Sequence, residues 1–224
     1  MKTAATKTGR AKRTVGKAPA APVAAPRRGR PPANLADRRA AIVGAARAVF
    51  GRHGLEAASM RLIAREAGVA APTLYLYFKG AEELYGEALS ASLAELKSLL
   101  EAASAAGAAR ERAVAVASAF FEFYYRSPDD AALGLYLNRG LGPRGLNPEL
   151  DARLNRKLLE ALMPLTRALQ AHQGGTARAA HTAAFSLASS AMGIAIFHHT
   201  RRDKSLHVDA TAAFGQLLAW VFRP

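Results

Sequence analysis

The chain has 224 residues, half of them apolar, with a formal net charge of +14 and no cysteine. Disulfides, thiol catalysis and thiolate metal sites are therefore excluded, and the cysteine usage fits a reducing cytoplasm. The length suffices for one large helical domain or two small ones. Alanine and leucine outweigh the β-branched residues, which favours an all-α fold, and the basic balance favours a polyanionic partner, nucleic acid before anionic membrane.

The charge is uneven. Residues 1–33 hold nine Lys or Arg and no acid, leaving 22 basic against 17 acidic residues beyond them. Residues 1–35 read as a disordered basic tail. Within it PRRGRPP (26–32) contains Arg28 and Arg30 in an Arg-Gly-Arg-Pro run. That run resembles the core of an AT-hook, whose two arginines lie in a narrow minor groove. A generic basic linker is the alternative.

The spacing of Ile42, Ala45, Ala46, Val49 and Phe50 predicts a first helix from about Asp37 to His53, flanked by Gly51 and Gly54. Ser59 caps a short helix over Met60–Ala67, Gly68-Val69 makes a turn, and a second short helix starts at Ala71-Pro72 and ends around Phe78 to Gly80. A longer helix follows from Ala81 to Ala103. Five more are expected. They run from Ala109 to Arg126, from Ser127-Pro128 to Gly140, from Asn147-Pro148 to Gln173 with a bend at Pro164, from Thr176 to Thr200, and from His207 to Phe222. The total is about nine helices. Every apolar run is expected to be broken by charge short of the ~20 residues that span a membrane. No secretory core follows the basic start.

Two short helices joined by a glycine turn form the pattern of a DNA-reading helix-turn-helix. Small Ala64 and Ala67 let the helices cross closely, and Gly68 permits the sharp turn. AREAGVAAPTLYLYFKG (64–80) then gathers Tyr75, Tyr77 and Phe78 beside basic charge. A tyrosine ring packs on the scaffold while its hydroxyl reaches a phosphate oxygen. Phe78 reads as core.

The stretches AAIVGAARAVFGRHGLEAASMRLIAREAGV and APTLYLYFKGAEELY resemble the DNA-binding domain of the tetracycline-repressor (TetR/AcrR) family of bacterial regulators. The resemblance implies an all-α protein in three parts: the tail (1–35), a three-helix head (36–96, helix-turn-helix 59–78), and a helical effector-binding and dimerisation body (97–224). Carried over by position, Ser59 and Arg61 begin the first motif helix. Ala71, Pro72 and Thr73 face the groove from the recognition helix. Tyr75 and Tyr77 match phosphate-binding tyrosines, with Lys79 just beyond. The family's phosphate-gripping lysine is replaced by Ala81, and Ala70 stands where a capping serine or threonine is usual.

For the body, the resemblance implies a pocket among the middle helices. Phe120, Phe121, Tyr124, Tyr136, Phe185, Met192 and Phe197 are the candidates for a small hydrophobic or aromatic effector. It also implies a homodimer through the last two helices, with Ala184, Leu187, Ala188, Ala191, Phe214, Leu217, Leu218 and Val221 as candidates. A solid core reads the same way for both sets. His198 and His199 point about 100° apart on a helix, so no shared metal ion is expected, and no cofactor is implied.

The expected function is a ligand-responsive, homodimeric transcriptional repressor that binds double-stranded DNA at a palindromic operator in the cytoplasm, associated with the nucleoid. An architectural nucleoid protein using the basic tail is the alternative. No P-loop, dinucleotide fingerprint or catalytic constellation is present, so an enzyme is not expected.

Overall fold

The structure, a computed structural model, describes residues 35–105, 107–135 and 146–223. The tail with Arg28 and Arg30, the candidate Tyr136, and the end of the helix expected to reach Gly140 lie outside the described residues. Among the described residues there are ten helices and no strand. They are α1 (Leu35–Ala57), α2 (Met60–Glu66), α3 (Ala71–Tyr75), α4 (Ala81–Ala103), α5 (Ala109–Arg126), α6 (Pro128–Leu135), α7 (Pro148–Gln173), α8 (Ala177–His199), α9 (Arg202–Ser205) and α10 (Ala210–Val221).

Local chemistry sets most of these boundaries. Ser59, Asn147, Thr176 and Asp209 each accept a hydrogen bond from a backbone N–H in the first turn of the helix that follows, satisfying a donor left over at that end. Gly54, at φ 74°, redirects α1 before its last residues. Pro164 sits inside α7 without ending it. The short α9 is not expected from the sequence, because Arg201 enters it through a left-handed conformation at φ 58° that periodicity does not foresee.

One continuous apolar core runs from Ile42 and Phe50 on α1 through Leu84, Leu89 and Leu96 on α4 to Phe121 on α5 and Leu165 on α7. Helix α4 packs on α1, α5 and α7, while α1 also packs along α6 and α8 packs on α5 and α7. The end of α10 is tied down where the Arg110 guanidinium donates twice to the Phe222 carbonyl, at 2.9 and 3.1 Å.

One expectation is corrected here. From Ala179 to Thr200 there is no Asp, Glu, Lys or Arg. Helix α8 is long and apolar enough to cross a membrane by length and composition, and 33% of its apolar stretch is buried within the chain. The buried face is Ala180, Ala184, Leu187, Ala188, Ala191 and Ala195. These residues pack against the chain's own core, while the larger part of the apolar stretch is not buried.

Candidate nucleic-acid interface

Helices α2 and α3 meet at a glycine-terminated turn. Gly68 N–H donates to the Arg65 carbonyl at 3.2 Å and Val69 N–H to the Ala64 carbonyl at 3.0 Å, with Gly68 at φ 68°. This pair of bonds and a left-handed glycine form a Schellman stop, which satisfies the last carbonyls of α2 and turns the chain sharply. The sharp turn swings α3 away from α2. Leu74 and Phe78 anchor α3 in the core. Phe78 is roofed by the Arg39 guanidinium, 5.0 Å from the ring centroid, and Arg39 in turn pairs with Glu87 at 2.9 Å. Arg52 pairs with Glu66 at 2.7 Å and holds α1 to α2.

The expected contact residues fall as follows. Arg61, Pro72, Tyr75 and Lys79 are exposed, while Ala71, Thr73 and Tyr77 are half-buried. Tyr75 keeps 59% of its surface and so has a free ring as well as a free hydroxyl. Ser59 is committed locally, because its hydroxyl oxygen accepts from Leu62 N–H at 3.2 Å to cap α2. Lys79 N–H donates to Glu83 at 2.7 Å, which fixes the backbone at the start of α4 and leaves the ammonium in solvent. The expected set omits Leu76, which is 82% exposed beside Tyr75. Its signal is positional: it lies four residues beyond Pro72 and three beyond Thr73, on the same helical face.

The head is joined to the body through a charged cluster that the sequence does not reveal. Asp130 on α6 is buried and receives two hydrogen bonds from the Arg47 guanidinium on α1. Ser92 on α4 donates a third at 2.7 Å. Arg47 also reaches Glu95 at 2.6 Å. Burial alone would lower the Arg47 pKa, but its hydrogen bonds to Asp130 and Glu95 reverse this and hold it above the ordinary arginine value. Burial, and then the nearby Asp130 charge, pushes the Tyr124 phenol well above its usual value. Burial likewise raises Asp129. Beside this cluster, a groove of about 420 Å³ is lined by Leu99, Ala119, Phe123 and Arg126 as well as Arg47 and Glu95. A second head–body link joins Glu82 to Asn147, whose backbone N–H and side-chain amide both donate to the same carboxylate oxygen.

The described pocket candidates do not assemble around one cavity. Phe120, Phe121 and Tyr124 are buried in the core, where Phe121 stacks on Phe214 at 4.2 Å and Phe120 lies 5.1 Å from Tyr124. Phe185 and Phe197 are exposed on the opposite face of α8, and Met192 is half-buried between. The enclosed space beside Tyr124 is only about 20 Å³, bordered by Leu89, Leu93, Leu154 and Leu158.

The dimer candidates lie largely on the inward faces of α8 and α10. Ala184, Leu187, Ala188, Ala191 and Phe214 are buried within the chain's own core, and Leu217, Leu218 and Val221 pack partly against it. The free face of the last long helices is the other one, with Phe185, Phe197 and Trp220. Three of its hydroxyls are turned back onto the helix: Thr182, Ser186 and Ser190 each donate to the carbonyl four residues back at 2.9–3.0 Å. Of the adjacent histidines, His198 lies 2.9 Å from Asp203, and His199 lies 2.8 Å from the Tyr124 carbonyl oxygen.

Residues 42–88, from α1 into α4, match the model of the bacterial regulatory proteins of the tetR family. The chain carries a tetR-family DNA-binding head. It is a DNA-binding transcriptional regulator, and the family is regulatory rather than enzymatic. The whole structure is similar to that of FadR, a fatty acid degradation regulator from Bacillus halodurans, with a TM-score of 0.65 and 22% identity, covering 82% of this chain and 97% of that one. FadR from Bacillus subtilis, solved in complex with stearoyl-CoA, gives the same values. A tetR-family regulatory protein from Rhodococcus RHA1 gives a TM-score of 0.64 at 22% identity, covering 83% and 95%. At these identities the likeness establishes the fold of the tetR-type chain alone. No curated protein matches it by sequence.

Proposed function

We propose that this protein is a ligand-responsive homodimeric repressor, acting on nucleoid DNA in the cytoplasm, in which an effector bound in the body controls how two heads meet a palindromic operator. The observation that carries this reading is the bond between head and body. Helix α1 is clamped to α6 through Arg47 and Asp130, so α6 cannot shift without moving or releasing the head. Gly51 reinforces the clamp, because a Cβ there would lie 2.5 Å from the Cα of Asp129. Dimerisation is supported by the free apolar face of α8 and α10. Two heads so joined would present α3 to successive major grooves, about 34–36 Å apart.

On DNA, Arg61, Thr73, Tyr75, Tyr77 and Lys79 are the proposed contacts, the tyrosines and lysine to phosphate. Lys79 or the basic tail is proposed to stand in for the lysine that Ala81 replaces. The effector is proposed to be hydrophobic. It would open the small space beside Tyr124 between α4, α5, α6 and α7, which is lined by leucines. The two FadR structures make long acyl chains the first class to test. Release of operator requires different effector affinity for the two head arrangements. A hundredfold loss of DNA binding needs about 2.7 kcal/mol of coupling.

The experiment is selection of bound duplexes from a random pool, followed by binding to the selected site with and without a panel of acyl and aromatic ligands. A dyad-symmetric site that at least one ligand weakens is the expected result. A site without dyad symmetry, or one unaffected by every ligand, overturns the repressor reading. Replacing Tyr75 and Tyr77 together with phenylalanine is expected to weaken binding to the selected site while the head stays folded.

A further inference from the structure

We infer that the recognition helix reads the methyl groups of thymine, and that Leu76 is the residue that reads them. This rests on the proposed placement of α3 in the major groove. From Val69 to Phe78 the chain contains no Arg, Lys, Asn, Gln, His, Asp or Glu. The side chains that recognise guanine, adenine or cytosine edges by paired hydrogen bonds are therefore missing from the element that enters the groove. What α3 offers outward is Pro72, Tyr75 and Leu76, with part of Thr73. Tyr75 is engaged by phosphate in this reading. Pro72 and Leu76 are then left as an apolar ridge, four residues apart on one face.

The backbone supports that geometry. Leu76 keeps helical angles at φ −73° and ψ −22°, and Phe78 N–H still bonds to the Leu74 carbonyl at 2.9 Å. Pro72 and Leu76 are thus separated by about 6 Å along the axis, close to two base-pair steps of about 3.4 Å each. An isolated surface leucine needs no explanation. This one is 82% exposed, the highest value for any large apolar side chain among the described residues. It stands where a base reader is required and where no side chain able to form paired hydrogen bonds with a base exists, the half-buried Thr73 offering a single hydroxyl. The one apolar group on a base edge in the major groove is the thymine C5-methyl, and Leu76 is the apolar side chain placed to cover it. Arg61 on α2 is then the hydrogen-bonding reader, and a mixed half-site follows, with thymine steps under α3 and a purine under Arg61.

The test uses the full chain and the duplex it selects from a random pool. Each thymine of the half-site is replaced in turn with deoxyuridine, which removes only the methyl group. For wild type, at least one position should weaken binding about fourfold, the weight of one buried methyl-sized group. In Leu76→Ala the thymine and uracil duplexes should bind alike at that position. The exposed side chain makes this variant safe for folding. Unchanged binding by wild type at every uracil duplex overturns the inference while leaving DNA recognition intact. A fourfold difference that persists in Leu76→Ala overturns the assignment to Leu76. Selection of no preferred duplex at all overturns the regulator reading and this inference together.

Discussion

Asp130 is the residue on which the junction between head and body turns. It has almost no contact with water, and its carboxylate accepts hydrogen bonds from the side chains of Arg47 and Ser92. Removing Asp130 leaves the partly buried Arg47 with Glu95 but without its buried partner, and takes the acceptor away from the buried Ser92 hydroxyl. Asp130→Ala is therefore expected to cost about 3 kcal/mol in a denaturant melt, and to loosen α1 from α6 so that the effector response of DNA binding is blunted. Tyr124 gives a pH signature nearby. Its folded pKa is raised, so the stability it contributes is complete below the ordinary tyrosine value of about 10 and is lost as pH climbs toward the raised value. Wild type should lose stability between pH 9 and 12 faster than Tyr124→Phe, with little difference at pH 7. Parallel curves for the two proteins would exclude that burial cost. Asp203 behaves in the opposite sense. Its hydrogen bond with His198 holds its carboxyl below the usual range, so the α8–α9 corner keeps this contribution above the ordinary aspartate value and loses it as pH falls through the lowered one.

At the scale of the elements, two glycines of α1 separate propensity from packing. Gly44 faces open space, whereas a Cβ on Gly51 would strike the backbone of Asp129. Gly44→Ala is expected to stabilise the protein by up to about 1 kcal/mol, because glycine is a poor helix former. Gly51→Ala gains the same propensity but forces α1 from α6, an overpacking cost of about 1–3 kcal/mol, and should come out destabilising by thermal melting. The difference shows which parts of the fold were legible in the sequence. Helix starts could be read because Ser59, Asn147 and Thr176 act on their own neighbours, and the Gly68 stop could be read for the same reason. Which side of α8 faces inward could not be read, since alanine, serine and phenylalanine alternate around it without a polar face. The Arg47–Asp130 pair joins residues 83 apart, and no local rule pairs them. The partner of His198 was hidden because Arg201 breaks the helix and brings Asp203 back toward it. Leu76 was hidden by its own chemistry, since a leucine reads as core until its exposure is known.

For the whole molecule, the deciding surface is the outer face of α8 and α10. Phe185, Phe197 and Trp220 keep 63%, 47% and 59% of their surface. Exposed on α8 beside these aromatics are Thr182, Ser186 and Ser190, whose hydroxyls are turned back onto their own helix. Such hydroxyls lose little when water is removed, and their small size lets a second helix approach closely. The same face that leaves α8 apolar enough to mimic a membrane span thus suits burial against a second copy of α8 and α10 around a twofold axis. Phe185→Glu would place an unpaired carboxylate in that contact, and twice over because of the symmetry. The expected result in sedimentation equilibrium is a dimer for wild type and a monomer for Phe185→Glu, with helix content by circular dichroism unchanged. Leu159→Glu serves as the control: it alters an exposed leucine of α7 outside this face and should leave the dimer intact. The operator response follows from the same geometry. A monomer presents one head, so the Phe185→Glu protein should keep its preference for the half-site while losing the steep dependence on the spacing between half-sites. A dimer that survives Phe185→Glu but dissociates with Leu159→Glu would move the interface to α7 and require a different placement of the two heads.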